Sequence, residues 1–294
     1  MGLRGPSTPP LIHRERSSMA SSAPDPAPPV LVRTSDGIAT VTLNRPTRRN
    51  AASWDLVTGL LDALEQVRDD ANARVLVLTG AGGDFSVGAD LARVSSDERS
   101  AQETRTLRGR SLEDDHERLA VASTVTERLV TFPKPTIAAV DGACAGAGLS
   151  IALATDLQVA SSDAVLVTAF VSAGVSGDLG SAWLLSRAVG PARARSLLLD
   201  PRRLTGAEAA AIGLLTEATD DLPGRVHELA TKLARQAPLA MRLAKLNVAD
   251  AMTSTLTDYL RAEVPRMVES ARSKDARAAA RAFIERRAPE FTGE

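Results

Sequence analysis

The sequence predicts an α/β fold built from repeated strand–strand–helix units and closed by a helical C-terminal region, and three observations carry that expectation. A hairpin, an amphipathic helix and a buried strand follow one another between residues 30 and 79. A strand, a tight turn and a helix run through Thr136–Asp156, TIAAVDGACAGAGLSIALATD. Beyond Pro191 almost every segment spaces its apolar residues as a helix does.

Residues 1–29 are rich in Pro and Ser, lack an apolar signal core and contain a second methionine, Met19, so a disordered tail is expected there. From Val30 the string VLVRT, the turn Ser35-Asp36-Gly37 and IATVTLN spell a β-hairpin, which Asn44-Arg45-Pro46 ends. Ser53 is placed to cap a helix whose stripe is Leu56, Leu60, Leu61, Leu64 and Val67. RVLVLT (74–79) is a continuous apolar run of strand length, hence a buried strand. It opens into GAGGDFSVGADLARV, a Gly-rich bend. Residues 95–131 begin charged and turn amphipathic through Leu119, Val121, Val125 and Leu129, which reads as a lid or pocket-wall helix around 95–115 leading into a packed one. Phe132-Pro133-Lys134-Pro135 breaks that helix.

After the central stretch, DLQVAS and AVLVTA are two further strands, so the strand–strand–helix order recurs without an identical repeat. A bend at Ser176-Gly177-Asp178 precedes a helix bearing Trp183, Leu184, Leu185 and Val189. Thr205-Gly206-Ala207-Glu208 spells a capping box. The apolar faces Leu239, Leu243, Leu246 and Leu256, Leu260, Val264 suit helices that pack on the core or on another subunit. The expected division is a tail (1–29), a core (30–220) and a helical region (221–294).

With 294 residues, 44% hydrophobic and 24% charged, the chain can bury a substantial core. Thirty-five basic against thirty-six acidic residues give a net charge of −1, so no global field recruits nucleic acid or an anionic membrane, and a small-molecule partner fits better. No apolar run approaches the ~20 residues of a membrane span. One cysteine, Cys144, excludes an internal disulfide and a multi-cysteine metal site and suits a cytoplasmic location. His13, His116 and His227 show no metal-ligand spacing, so neither a metal nor a tightly bound cofactor is expected.

The chemistry concentrates in the bends. Small residues from Gly142 to Gly148 let a ligand approach the backbone, and the first amides of the following helix lack intrahelical partners. The stretch matches neither G-x-G-x-x-G nor G-x-x-x-x-G-K-[ST], so an oxygen that becomes negative during reaction suits it better than a phosphate. Close packing alone also uses such turns. The bend after RVLVLT repeats the arrangement, and two bends can aim two amides at one oxygen. Asp178, flanked by glycines at a helix start, is either an acid/base or a plain N-cap. Cys144 has no activating neighbour and reads as a small buried residue.

Five segments in order, LNRPTRRNA (43–51), DFSVGADL (84–91), PKPTIAAVDGACAGAGLSIALATD (133–156), GVSGDLG (174–180) and RRLTGAEAAAIGLL (202–215), resemble the crotonase superfamily, the enoyl-CoA hydratase/isomerase family. The likeness spans about residues 30–290. It implies a spiral of ββα units with a C-terminal α-helical trimerisation region, a homotrimer or dimer of trimers, and coenzyme A present as part of an acyl-CoA or enoyl-CoA substrate. It places the oxyanion amides at Ala89 and Ala147, adenine contacts at Asp90, Leu91 and Ala92, and a neighbour-subunit contact with CoA at Phe283 and Arg286 of the last helix. The two glutamates of the family's hydratases are replaced by Ser150 and Phe170, which implies proton transfer of an isomerase kind through Asp178 rather than two-glutamate hydration. The dehalogenase branch resembles the Asp178 bend but uses a pocket-wall histidine where Ser123 stands, with His116 two turns earlier. The alternatives are an acyl-CoA-binding protein without chemistry and a thioester hydrolase.

Overall fold

A computed structural model describes residues 28–90 and 111–294. The expected tail and most of the expected lid lie outside the described residues, as do Leu91 and Ala92. Strands β1 (Val30–Ser35) and β2 (Ile38–Leu43) pair antiparallel across Asp36 and Gly37. These two residues have φ of 53° and 80°, the left-handed pair of a tight hairpin turn. Helix α1 (Trp54–Asp69) crosses over to β3 (Val75–Gly80), which runs parallel to β2. Ser53 caps it as expected, its hydroxyl accepting from the Leu56 amide at 3.2 Å.

Helix α2 (Leu112–Val130) leads to β4 (Thr136–Val140), and from there the order is regular. β5 (Ala143–Ala145) and α3 (Ala147–Leu153) follow, then β6 (Leu157–Ser161), β7 (Val165–Val167) and α4 (Ser181–Leu199), the last kinked at Gly190-Pro191. β8 (Leu204–Thr205), α5 (Gly206–Ala211) and β9 (Glu217–Thr219) close the core, with the expected capping box at Thr205 and Glu208. The strands sort into a six-stranded sheet, β1-β2-β3-β4-β6-β9, and a three-stranded one, β5-β7-β8. The units β4-β5-α3 and β6-β7-α4 thus each send one strand to each sheet before the helix, whereas β1 and β2 both join the large sheet. The sequence order of strands and helices was readable, but not this partition, because alternating small and apolar residues suit either sheet.

One face of the large sheet packs against α1 and α3, on which α2 and α4 pack in turn, through Leu56, Leu60, Val125, Leu129, Ile151 and Leu185. Helix α6 (Leu222–Ala234) covers the other face, laying Leu222, Val226, Ala230 and Ala234 on Val75, Val77, Ile137 and Val159. The expected boundary at 221 therefore falls before a helix that belongs to the sheet. The helices that follow are α7 (Pro238–Ala251), α8 (Leu256–Ala271) and α9 (Lys274–Ile284). Lys245 of α7 donates to Asp156 (2.5 Å) and to the Lys134 carbonyl (2.9 Å), tying α7 to the start of β4. Leu243 is buried, but Leu256, Leu260 and Val264 stay exposed, so that stripe is not packed among the described residues.

The segment LNRPTRRNA is a bracket. Asn50 is fully buried, accepts from the Arg45 amide (2.9 Å) and donates to the carbonyls of Ala81 (2.9 Å) and Asp84 (2.7 Å). Ser86 donates to the Asn50 carbonyl at 2.8 Å. One side chain thus fixes where the chain goes after β3. Asn50→Ala strands these buried groups and is expected to cost about 3 kcal/mol, read as a lower urea midpoint at unchanged slope.

Candidate active site

Two bends lie against each other where the sheets meet. The first, Phe85–Asp90, runs beside β5: Ser86 donates its amide to Ala143 (3.0 Å) and accepts from Ala145 (2.9 Å). Asp84 accepts from the Ala143 amide (2.8 Å) and pairs with Arg49 (2.7 Å), a bond that holds its carboxyl below the ordinary value. The backbones are close enough to demand glycine. A side-chain carbon on Gly88 would sit 2.8 Å from the Ala145 oxygen, and one on Gly148 would sit 2.5 Å from the Ser86 oxygen. Gly88 and Gly146 also have φ of 87° and 50°.

Ala89 and Ala147 occupy equivalent places after these glycines. Ala52 donates to the Gly88 carbonyl (2.7 Å) and accepts from the Asp90 amide (3.1 Å), so the amide of Ala89 between them faces away from Ala52. Ala147 is the first residue of α3, where an amide has no intrahelical acceptor. Neither amide donates to any described residue.

Asp178 is not an N-cap. Helix α4 starts at Ser181 after Gly180, and no side chain caps it. The bend around Asp178 is strained at one residue: Gly177 and Gly180 adopt φ of 125° and 73° without side-chain cost, but Leu179, a bulky residue, has φ of 44°. Such a conformation costs about 1–3 kcal/mol in a non-glycine residue and persists only where packing enforces it. Here Leu179 is buried, its carbonyl accepts from the Thr126 hydroxyl (2.8 Å), and the Asp178 carbonyl accepts from the Ser181 amide (2.9 Å). The result is a carboxyl whose Oδ1 is buried without a hydrogen-bond partner among the described residues. Burial raises Asp178 from the usual 3.8 to about 6.

Phe170 is buried beside both features. Its ring lies 3.7 Å from where a side chain on Gly146 would begin and 4.0 Å from the same point on Gly177. Ser150, also buried, lies on α3 with its hydroxyl 3.4 Å from both the Gly146 and the Asp178 carbonyls. Among the described residues, then, Ala147, Ser150, Phe170 and Asp178 come together, and Ala89 adjoins them through Gly88.

Other expected residues fall elsewhere. The Asp90 carboxylate is buried and paired with Arg45 (3.0 Å) and Arg48 (2.5 Å), and its amide donates to the Ala52 carbonyl (3.1 Å), so the residue braces the first bend. Phe283 is 86% exposed. Arg286 is not on the last helix: α9 ends at Ile284, and Arg286 takes a left-handed φ of 53° beyond it. Cys144 is buried in β5, where burial drives its thiol pKa well up, as suits a packing residue. Ser123 donates to the Leu119 carbonyl (2.8 Å), and His116 is exposed. Among the described residues no group of acidic, histidine or cysteine side chains is arranged to hold a metal, and no helix is long and apolar enough to cross a membrane. Thr126 escaped sequence reasoning. Its only trace is a hydroxyl on the buried stripe between Ala122 and Leu129.

The sequence model of the enoyl-CoA hydratase/isomerase family matches residues 33–294, nearly all of the chain. The chain belongs to that family, the crotonase superfamily. It is similar to a 1,2-epoxyphenylacetyl-CoA isomerase of Escherichia coli (strain K12), 36% identical over 268 residues that cover 90% of this chain and 98% of the relative. A probable enoyl-CoA hydratase of Rhodobacter capsulatus is 34% identical over 88% of this chain and 96% of its own length. The crystal structure of an enoyl-CoA hydratase from Bacillus anthracis superposes with a TM-score of 0.82 at 30% identity, covering 90% of this chain and all of that one. The protein is accordingly a hydratase/isomerase-type enzyme of acyl-CoA metabolism, with an α/β fold shared across these relatives.

Because the folded state holds the Asp178 proton more tightly than the unfolded chain, stability falls as pH rises from about 4 through about 6, and the cost of ionising the buried carboxyl is complete above that. Asp178→Asn removes that cost. The variant is expected to be more stable than the parent by about 2 kcal/mol at pH 8 and equal to it at pH 4, measured by urea unfolding at both values.

Proposed function

We propose that the enzyme isomerises an enoyl-CoA thioester by proton transfer. The amides of Ala89 and Ala147 hold the thioester oxygen, and Asp178 moves the proton. The carboxylate takes a proton from the carbon next to the double bond, and the electron pair runs into the thioester carbonyl, giving a dienolate whose oxygen faces the two amides. The protonated Asp178 then returns its proton to the other end of the dienolate, so the double bond moves and no atom is gained or lost. The observation that carries this reading is the buried Oδ1 of Asp178, without a hydrogen-bond partner among the described residues and beside the bends that bear the two amides. A carboxyl used only for structure would have found a donor.

Ser150 and Phe170 favour isomerisation over hydration, because neither offers the second carboxylate that activating water requires, and the Phe170 ring occupies space next to Gly146 and Gly177. The relative named as an epoxyphenylacetyl-CoA isomerase is consistent with this preference. The coenzyme portion is expected to pass the backbone of Asp90, Leu91 and Ala92. The exposed apolar stripe on α8 and the exposed Phe283 and Arg286 suit a trimer or dimer of trimers, in which a neighbour's last residues reach the CoA. A cytoplasmic location completes the reading.

The test is turnover of a 3-enoyl-CoA to its conjugated isomer in deuterated water. Asp178→Asn is expected to lower kcat by about 10²–10³ with little change in KM, and kcat/KM of the parent should fall below about pH 6 as the carboxylate is protonated. Turnover by the asparagine variant equal to the parent's would remove Asp178 from the reaction. Phe170→Ala admits water, so 3-hydroxyacyl-CoA should appear as a minor product; a parent enzyme that already makes it as the main product would refute the isomerase preference.

A further inference from the structure

Asp178 sits in a bend that glycine alone does not hold. Of its residues, Leu179 is the one whose φ of 44° opposes its side chain, and its conformation fixes where the preceding carboxyl points. Three anchors secure it. The Leu179 side chain is fully buried, the Ser181 amide donates to the Asp178 carbonyl, and the Thr126 hydroxyl reaches across from α2 to the Leu179 carbonyl at 2.8 Å. The first two belong to the bend and to the helix it opens. Thr126 is the long-range one, 53 residues away in sequence, and is itself buried. Its methyl group also meets the bend, 3.5 Å from where a side chain on Gly180 would begin.

We propose that Thr126 is a positioning residue for Asp178: by holding the Leu179 carbonyl it keeps the bend in the one shape that buries Oδ1 of the carboxyl away from donors. The proposal rests on Asp178 being the acid/base but concerns the geometry of its carboxyl. That carboxyl is perturbed by burial alone, with no charged group contributing. The elements packed on the bend bring hydroxyls to it, Thr126 from α2, Ser150 from α3 and Ser181 from α4, and Phe170 brings an aromatic edge. Among the described residues the charged neighbours turn elsewhere: Glu127, next to Thr126, is exposed, and Arg187 of α4 stacks on the Trp183 ring at 3.6 Å. Position is therefore what sets this group, and a change of position is readable as a change in its titration.

Thr126→Val keeps size and the methyl contact and deletes only the hydrogen bond, leaving a buried carbonyl that gains by turning toward water. Thr126→Ser keeps the bond and deletes the methyl. The full chain is labelled with ¹³C-aspartate, and the Asp178 carboxyl, identified by its absence in Asp178→Asn, is titrated in each variant. In Thr126→Val its midpoint is expected to fall by about one pH unit toward an ordinary aspartate, and the acidic limb of kcat/KM to move down with it, while kcat drops about tenfold at nearly constant KM. Thr126→Ser is expected to titrate and turn over as the parent does. Thr126→Ala, which leaves a small cavity in place of an oxygen-to-methyl exchange, is carried alongside and should show the valine variant's shift. A valine or alanine variant that melts earlier yet titrates with the parent's midpoint would show Thr126 to be structural only and would overturn the proposal. Absence of turnover in the parent on every thioester tried would instead refute the proposed reaction, and the titrations would still decide the role of Thr126.

Discussion

The close approach of the two bends is the constraint on which the rest of the structure depends. With a Gly88 side-chain carbon 2.8 Å from the Ala145 oxygen, and a Gly148 one 2.5 Å from the Ser86 oxygen, the two backbones meet with no room for side chains between them. Such contact leaves polar backbone groups facing a shared space, which is tolerable only if every other group is satisfied. Asn50, Asp84 and Ser86 supply that satisfaction from two short segments. The amides of Ala89 and Ala147 are what remains over.

The second constraint is electrostatic. Asp178 is held where its charged form is disfavoured, by a bend that stores backbone strain at Leu179 and by an aromatic ring at Phe170. The positive φ of Leu179 and the unpaired Asp178 oxygen are local violations of the rules that most of the described chain obeys, and such violations gather where a protein does something other than fold. The surrounding core is regular: capped helices, buried aliphatic strands and a hairpin turn with the residues its geometry demands.

Much of this was legible in the sequence because the signals were local. The Asp36-Gly37 turn, the Ser53 cap, the capping box at Thr205 and the apolar runs of β3 and β4 each depend on a few adjacent residues. The bends at Gly88 and Gly146 and their convergence follow from composition and order, but the contact spans 58 residues of chain, and only the family resemblance names Ala89 and Ala147 as the amides. What stayed hidden was long-range and polar. The assignment of alternate strands to two sheets, the Arg45 and Arg48 pairing with Asp90, and the Thr126 bond to Leu179 have no periodicity and no motif. Helix α6 was read as part of the helical end because its stripe of Leu222, Val226 and Ala230 looks the same whether it meets a sheet or another helix.

The two constraints become one when the proposed reaction is followed as a movement of charge. Before proton transfer the negative charge sits on Asp178, at an oxygen with no donor; after it, the charge sits on the thioester oxygen, where two amides with no other acceptor are available. The site does not change its net charge; it moves the charge from a place built to disfavour it to a place built to receive it. Interactions stronger after the transfer than before it are the ones that lower a barrier. A better-solvated aspartate would make the starting state more stable and the step slower, even with both amides intact. The fixed geometry of the bends and the burial of Asp178 Oδ1 are therefore complementary, and losing either one leaves the other without its effect on rate.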